Sequence, residues 1–113
     1  MVDLNQVCFS GFVQNDPEHC KTGVSFRMGI RRRNPKAGEP GEKPHLWTNV
    51  SVWSYHEKTA QALLSYVKKG MHITITGELR IEEWKDGHGE WRSFVAVRLF
   101  TYHLSPARRK VGS

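Results

Sequence analysis

The chain is 113 residues long, room for one domain around one hydrophobic core and too little for a second. Hydrophobic residues make up 38% and charged residues 25%, ordinary globular usage that argues against a disordered or fibrous chain. The 17 Lys and Arg outnumber the 11 Asp and Glu, and the net +6 favours a polyanionic partner, either nucleic acid or an acidic membrane surface.

No apolar run approaches the roughly 20 residues that cross a bilayer. Met1-Val2-Asp3 opens without a basic-then-apolar leader, so neither secretion nor membrane insertion is expected. Cys8 and Cys20 allow at most one bridge and are read as two thiols in a reducing compartment.

In chain order, Leu4 to Val13 is rich in strand formers and closes at the turn signal Asn15-Asp16-Pro17, predicting strand one. Val24, Phe26, Met28 and Ile30 alternate with small or polar residues and predict a second strand, with Arg27 and Arg31 facing the other way. The Pro- and Gly-dense stretch from Asn34 to Pro44 forbids regular structure and is expected to be a mobile charged loop. Leu46 to Trp53 predicts strand three, with Val50 and Val52 inward and Trp47, Asn49, Ser51 and Trp53 outward.

Ser54 and Glu57 stand in capping-box spacing at the head of a helical stripe formed by Ala60, Leu63, Leu64 and Val67. Lys68-Lys69-Gly70 is expected to close that helix with cations and a permissive C-cap. The period then returns to two. Ile73, Ile75, Leu79 and Ile81 form one face of a fourth strand, with Arg80 and Trp84 on the other. Lys85 to Gly89 signals a hairpin turn, and the fifth strand, Trp91 to Leu99, carries Val95, Val97 and Leu99 on its apolar side.

Three strands, one helix and two strands make an all-β class with one helix, the β-β-β-α-β-β order of the five-stranded oligonucleotide-binding (OB) barrel, with the helix plugging one end. The barrel domain is expected over 1–104, and 105–113 is expected to be a short basic tail without fixed structure.

Tryptophans on polar faces suggest a surface built to be covered, unless a loop or another subunit caps them. Single-stranded nucleic acid fits this surface. Its bases stack on indole for about 1–3 kcal/mol each, while neighbouring cations neutralise phosphates. The candidate residues are Trp47, Trp53, Trp84 and Trp91, with Arg31, Arg32, Arg33, Lys36, Lys68, Lys69, Arg80 and Lys85 as the cations. No nucleophile elbow, phosphate-cradling glycine loop or paired-histidine motif is present, so no catalytic residue, metal site or cofactor is expected.

Leu4-Asn5-Gln6-Val7 with Gly11 and Asn15-Asp16-Pro17-Glu18, then Trp47 to Trp53, Tyr66 to Gly70 and Ile75 to Arg80, together resemble the bacterial-type single-stranded DNA-binding protein family over Leu4 to Leu104. The resemblance implies an OB barrel that assembles as a homotetramer, a dimer of dimers, with a simple dimer as the lesser assembly. It implies sequence-independent coating of single-stranded DNA in replication, recombination and repair, in a bacterial nucleoid or an organellar matrix. Trp47, Trp53 and Trp84 match positions of base-stacking aromatics, and Lys36, Lys69 and Arg80 match positions of phosphate-contacting cations.

The chain also departs from the pattern. Arg33 stands where a further stacking aromatic is common, and Glu82 and Glu83 precede Trp84 where basic residues are usual. The end at Arg108-Arg109-Lys110 replaces the acidic tip that recruits replication and repair proteins, which fits a truncated sequence or a tailless member. Two alternatives of the same fold stand beside this reading: a primosomal adaptor bridging helicase and DNA, and an RNA-binding accessory barrel.

Overall fold

The computed structural model describes residues 4–21 and 23–105. Among them lie six strands and one helix: β1 (Val7–Val13), β2 (Glu18–Cys20), β3 (Gly23–Arg33), β4 (His45–Ser54), α1 (Glu57–Tyr66), β5 (His72–Lys85) and β6 (Trp91–Leu104). The sheet runs β1-β5-β6-β4-β3-β2, and a further β1–β3 pairing at Phe12↔Gly29 and Val13↔Met28 joins its far sides. Five strands therefore close a barrel. The short β2 stays outside the ring, paired only with the start of β3.

Closure removes the exposed edges that an open sheet would leave and encloses one apolar interior. Alternation along β3 turns Val24, Phe26 and Met28 inward, and alternation along β4 does the same for Val50 and Val52. Ile73 and Ile75 of β5 and Val97 and Leu99 of β6 complete that interior. Each such side chain, fully buried, contributes about 1.5–3 kcal/mol. Ala60 and Leu63 of α1, with Val67 just beyond it, close one end, and the helix packs on β3 and β4.

The helix departs from the expected capping box. Ser54 is the last residue of β4, and His56 holds the N-cap position without a side-chain cap. The Ser54 hydroxyl instead accepts the His56 N–H at 3.3 Å. A side chain committed to the sheet's last register pair, opposite Val24, is not placed to reach the helix's first free donors. The helix also ends earlier than expected, at Tyr66. Val67 is already extended, so Lys68 and Lys69 belong to the turn into β5, where Gly70 takes φ +91°.

The last strand runs past Leu99. The register of β5 on β6 shifts between Thr76↔Thr101 and Gly77↔Leu99, which leaves Phe100 as an extra residue. This bulge flips the parity of the strand, so Tyr102 and Leu104 join the core packing where strict alternation from Val97 would turn them out. Ile81, expected on the inner face, is 62% exposed, because β5 has left the barrel by that point.

The 34–44 loop, expected to be mobile, is folded around one side chain. Buried Asn34 donates to the Lys43 carbonyl at 2.8 Å and to Glu42 at 3.1 Å, and its own side-chain oxygen accepts the Lys36 N–H at 3.0 Å. Backbone bonds from Ala37, Glu39 and Glu42 to residues three earlier add successive turns. Of the basic tail, only Ser105 lies within the described residues.

Candidate nucleic-acid interface

The outer face of β3 and β4 is set by one antiparallel register. Arg31 lies opposite Trp47, Gly29 opposite Asn49, Arg27 opposite Ser51 and Ser25 opposite Trp53, so these residues share one side of the sheet. Trp47 is half exposed, at 51%, and packs edge-on against Phe12 with centroids 6.0 Å apart. Gly29 makes room for it. A Cβ there would sit 2.6 Å from Gln14 Nε2 and 3.0 Å from Trp47 Cε3. Gln14 in turn donates to Asn49 Oδ1 at 2.8 Å, which fixes a polar floor beside the indole.

Trp53 is partly buried, and the Arg80 guanidinium lies over its ring, 5.7 Å from the centroid. Arg80 bonds the Glu78 carboxylate at 2.8 Å, and this pairing holds the Glu78 carboxyl below its usual range. The long β5–β6 hairpin carries the other two tryptophans. Trp84, 46% exposed, meets Phe94 across the ribbon at 5.6 Å and 62°. A groove of about 310 Å³ runs between this pair and the β3–β4 face, lined by Arg27, Asn49, Val50, Ser51, Trp84, Phe94 and Val95. Trp91, 67% exposed, stands nearer the tip with Lys85 over its ring at 5.3 Å.

Asp86 shapes that tip. It accepts the His88 and Glu90 backbone N–H groups at 2.8 and 3.0 Å and the Arg92 Nε at 2.9 Å. The Arg92 guanidinium and the two amides hold the Asp86 carboxyl below its usual range.

The predicted cations fall into separate groups. Arg31 and Arg33 share the Trp47 face by register, whereas Arg32 pairs with Leu46 on the opposite side. There it lines a second groove of about 400 Å³ with Asn34, Pro35, Lys36, Glu42 and Leu46. Lys68 and Lys69 sit on the α1–β5 turn, where the Lys69 backbone N–H bonds Asp16 at 2.8 Å and Lys68 Nζ reaches the Leu64 carbonyl at 3.5 Å. Neither lysine lines the tryptophan groove. Of the seven residues lining the groove, only Trp84 was among the candidates drawn from the sequence; Arg27, Asn49, Val50, Ser51, Phe94 and Val95 were not. The signal for Phe94 was present, since the alternation that turns Val95 inward turns its neighbour outward.

A closed five-stranded barrel with one helix between its third and fourth strands is the oligonucleotide-binding fold, and its recurrent ligand surface is the face of strands two and three together with the loops at their margins. In this chain those two barrel strands are β3 and β4, and the β5–β6 hairpin stands beside them. Residues 4–103 match the Single-strand binding protein family, and the chain belongs to that family.

Among curated relatives, the chain is 31% identical over 103 residues to a single-stranded DNA-binding protein of Borreliella burgdorferi, covering 86% of this chain and 66% of the relative. It is 32% identical over 111 residues to Single-stranded DNA-binding protein 1 of Streptococcus pyogenes, covering 93% and 81%. Against the Chlamydia pneumoniae single-stranded DNA-binding protein, the match is 24% identical and covers 93% of this chain but 64% of that protein's length.

Among solved structures, the small single-stranded DNA-binding protein of Streptomyces coelicolor superposes with a TM-score of 0.71 at 17% identity, covering 92% of this chain and 96% of that one. The Plasmodium falciparum SSB in complex with ssDNA gives 0.68 at 17% identity, covering 93% and 97%. At that identity these two likenesses establish the fold.

Proposed function

We propose that this chain binds single-stranded DNA without sequence preference, stacking bases on Trp47, Trp53, Trp84 and Trp91 while Arg27, Arg31, Arg33, Arg80 and Lys85 meet phosphates. The observation that carries this reading is the groove where Trp84 and Phe94 of the hairpin face Arg27, Asn49 and Ser51 of the sheet. Indole and phenyl rings on one wall and a guanidinium with amide and hydroxyl groups on the other suit a flat base joined to an anionic backbone. Arg32 and Lys36 on their separate groove, and Lys68 and Lys69 on the helix exit turn, then serve a strand leaving the main face. Family membership and the names of the curated relatives support the same reading.

The protein acts by binding, protecting exposed single strands during replication, recombination and repair. It does so as a homo-oligomer, with the tetramer as the expected form. Fluorescence titration with oligo-dT tests the reading: the emission should be strongly quenched, and affinity should fall steeply with salt. Unchanged emission at saturating oligonucleotide overturns it. Parallel titrations with RNA and duplex DNA measure the preference for single-stranded DNA.

A further inference from the structure

Beyond Trp53 the sheet carries a second group of rings and cations outside the groove described above. The parallel β4–β6 pairing sets Trp53 beside Arg98, and the β5–β6 pairing sets Arg98 beside Glu78, so Trp53, Arg98 and Glu78 form one row across three strands. The Arg98 guanidinium lies 4.9 Å from the Phe100 ring centroid and 6.0 Å from that of Tyr55. Both rings are substantially exposed, and Phe100 owes its position to the bulge in β6.

The charges in this row are arranged around one carboxylate. Glu78 gives one oxygen to Arg80 Nε at 2.8 Å and the other to Arg98 Nη2 at 3.4 Å. Two guanidiniums, each seated on an aromatic ring, therefore converge on a single anion. Arg98 is incompletely satisfied by it, because its Nε is buried and makes no hydrogen bond. An open depression of about 570 Å³ adjoins the group, lined by Tyr55, His56, Glu57, Lys58 and Arg98.

We infer that Tyr55, Arg98 and Phe100 form a further nucleotide station on the strand path past Trp53, and that Glu78 occupies the anion position between Arg80 and Arg98 that a DNA phosphate takes. A phosphate offers more acceptor oxygens than a carboxylate and engages paired guanidiniums bidentately. A base stacks on the exposed Tyr55 ring, with Lys58 alongside the backbone. Glu78 acts as a resident competitor: it keeps the two arginines on their rings in the absence of DNA and lowers the net gain when DNA arrives. The inference rests on the proposed single-strand binding and adds residues that lie off the β3–β4 face.

The test is a titration of fluorescein-labelled oligo-dT at several salt concentrations, with melting temperature recorded for each variant. Tyr55→Ala should weaken binding roughly five- to hundred-fold while Tyr55→Phe keeps wild-type affinity, as loss of one stacked base requires. Arg98→Gln should flatten the slope of log affinity against log salt by about 0.7, the share of one phosphate contact. Glu78→Gln should tighten binding by up to roughly five-fold, the range of an exposed ion pair.

Folded Tyr55→Ala and Arg98→Gln proteins with wild-type affinity and slope overturn the station, as does weakened binding by Glu78→Gln for the competitor role. Where Tyr55→Ala does not fold, the Arg98→Gln slope decides alone. If the wild-type protein itself fails to bind oligo-dT, the broader functional reading falls, an outcome distinct from failure of the station.

Discussion

Trp47 rests on a glycine and touches one phenyl ring, and this separates its two roles. The ring lies close to Gly29 and Phe12 and is otherwise open, so the indole is anchored without being part of the core. Trp47→Ala should cost about 1–3 kcal/mol of single-strand binding. It should cost only about 1 kcal/mol of stability, the value of one edge-to-face aromatic pair. A large drop in melting temperature would instead make Trp47 a core residue. Gly29→Ala is the complementary probe. It leaves every tryptophan in place but pushes a methyl against Gln14 and the Trp47 ring. The expected result is a shift in intrinsic emission and weaker oligo-dT binding, read in the same titration.

At the scale of single elements, the β5–β6 ribbon is the most self-contained part of the site. From Glu82 to Lys85 and from Trp91 to Phe94 its residues are exposed, and Asp86 orders its tip through two amides and Arg92. The Asp86 carboxyl is held below its ordinary value, so the ordering it provides is fully present above the usual carboxylate range. It is lost as pH falls through the lowered folded value. Tip order, followed by backbone amide shifts of His88 and Glu90, should persist from neutral pH through mild acid and collapse only in strong acid. Asp86→Asn should lack that transition.

This ribbon also shows what sequence alone conveys. The turn signal and the two flanking strands were legible, because Gly and Asp chemistry and period-two alternation are local. The extension of β6 past Leu99 was not, because a bulge at Phe100 breaks alternation for a reason that lies in the partner strand. The Ser54-Glu57 pattern misled for a related reason: the local capping preference lost to a sheet pairing made with residue 24. Among the proposed site residues, the tryptophans and Arg80 stood out by type and parity. Arg98 did not, since only the parallel β4–β6 contact sets it beside Trp53.

For the molecule as a whole, stability should be graded from ring to ribbon. Val52 and Val97 are fully buried and pair across the β4–β6 seam, whereas the ribbon residues from Ile81 onward have little apolar cover. Native-state hydrogen exchange should find the seam amides released only by global unfolding and the ribbon amides by local opening at much lower free energy. Equal protection in both would mean that the ribbon is fastened to something beyond the single barrel, such as a second subunit.

The same seam governs when the protein becomes competent during its own synthesis. β3 and β4 emerge early and can zip together as a hairpin, but β6, the strand that completes the ring, follows the other four barrel strands. Until it has left the ribosome, the nascent chain shows cationic and aromatic side chains on a half-built sheet with an unpaired edge. A translating ribosome paused before Trp91 therefore holds an open barrel that chaperones should recognise, and the groove beside β3 and β4 lacks its Phe94 wall until β6 has docked.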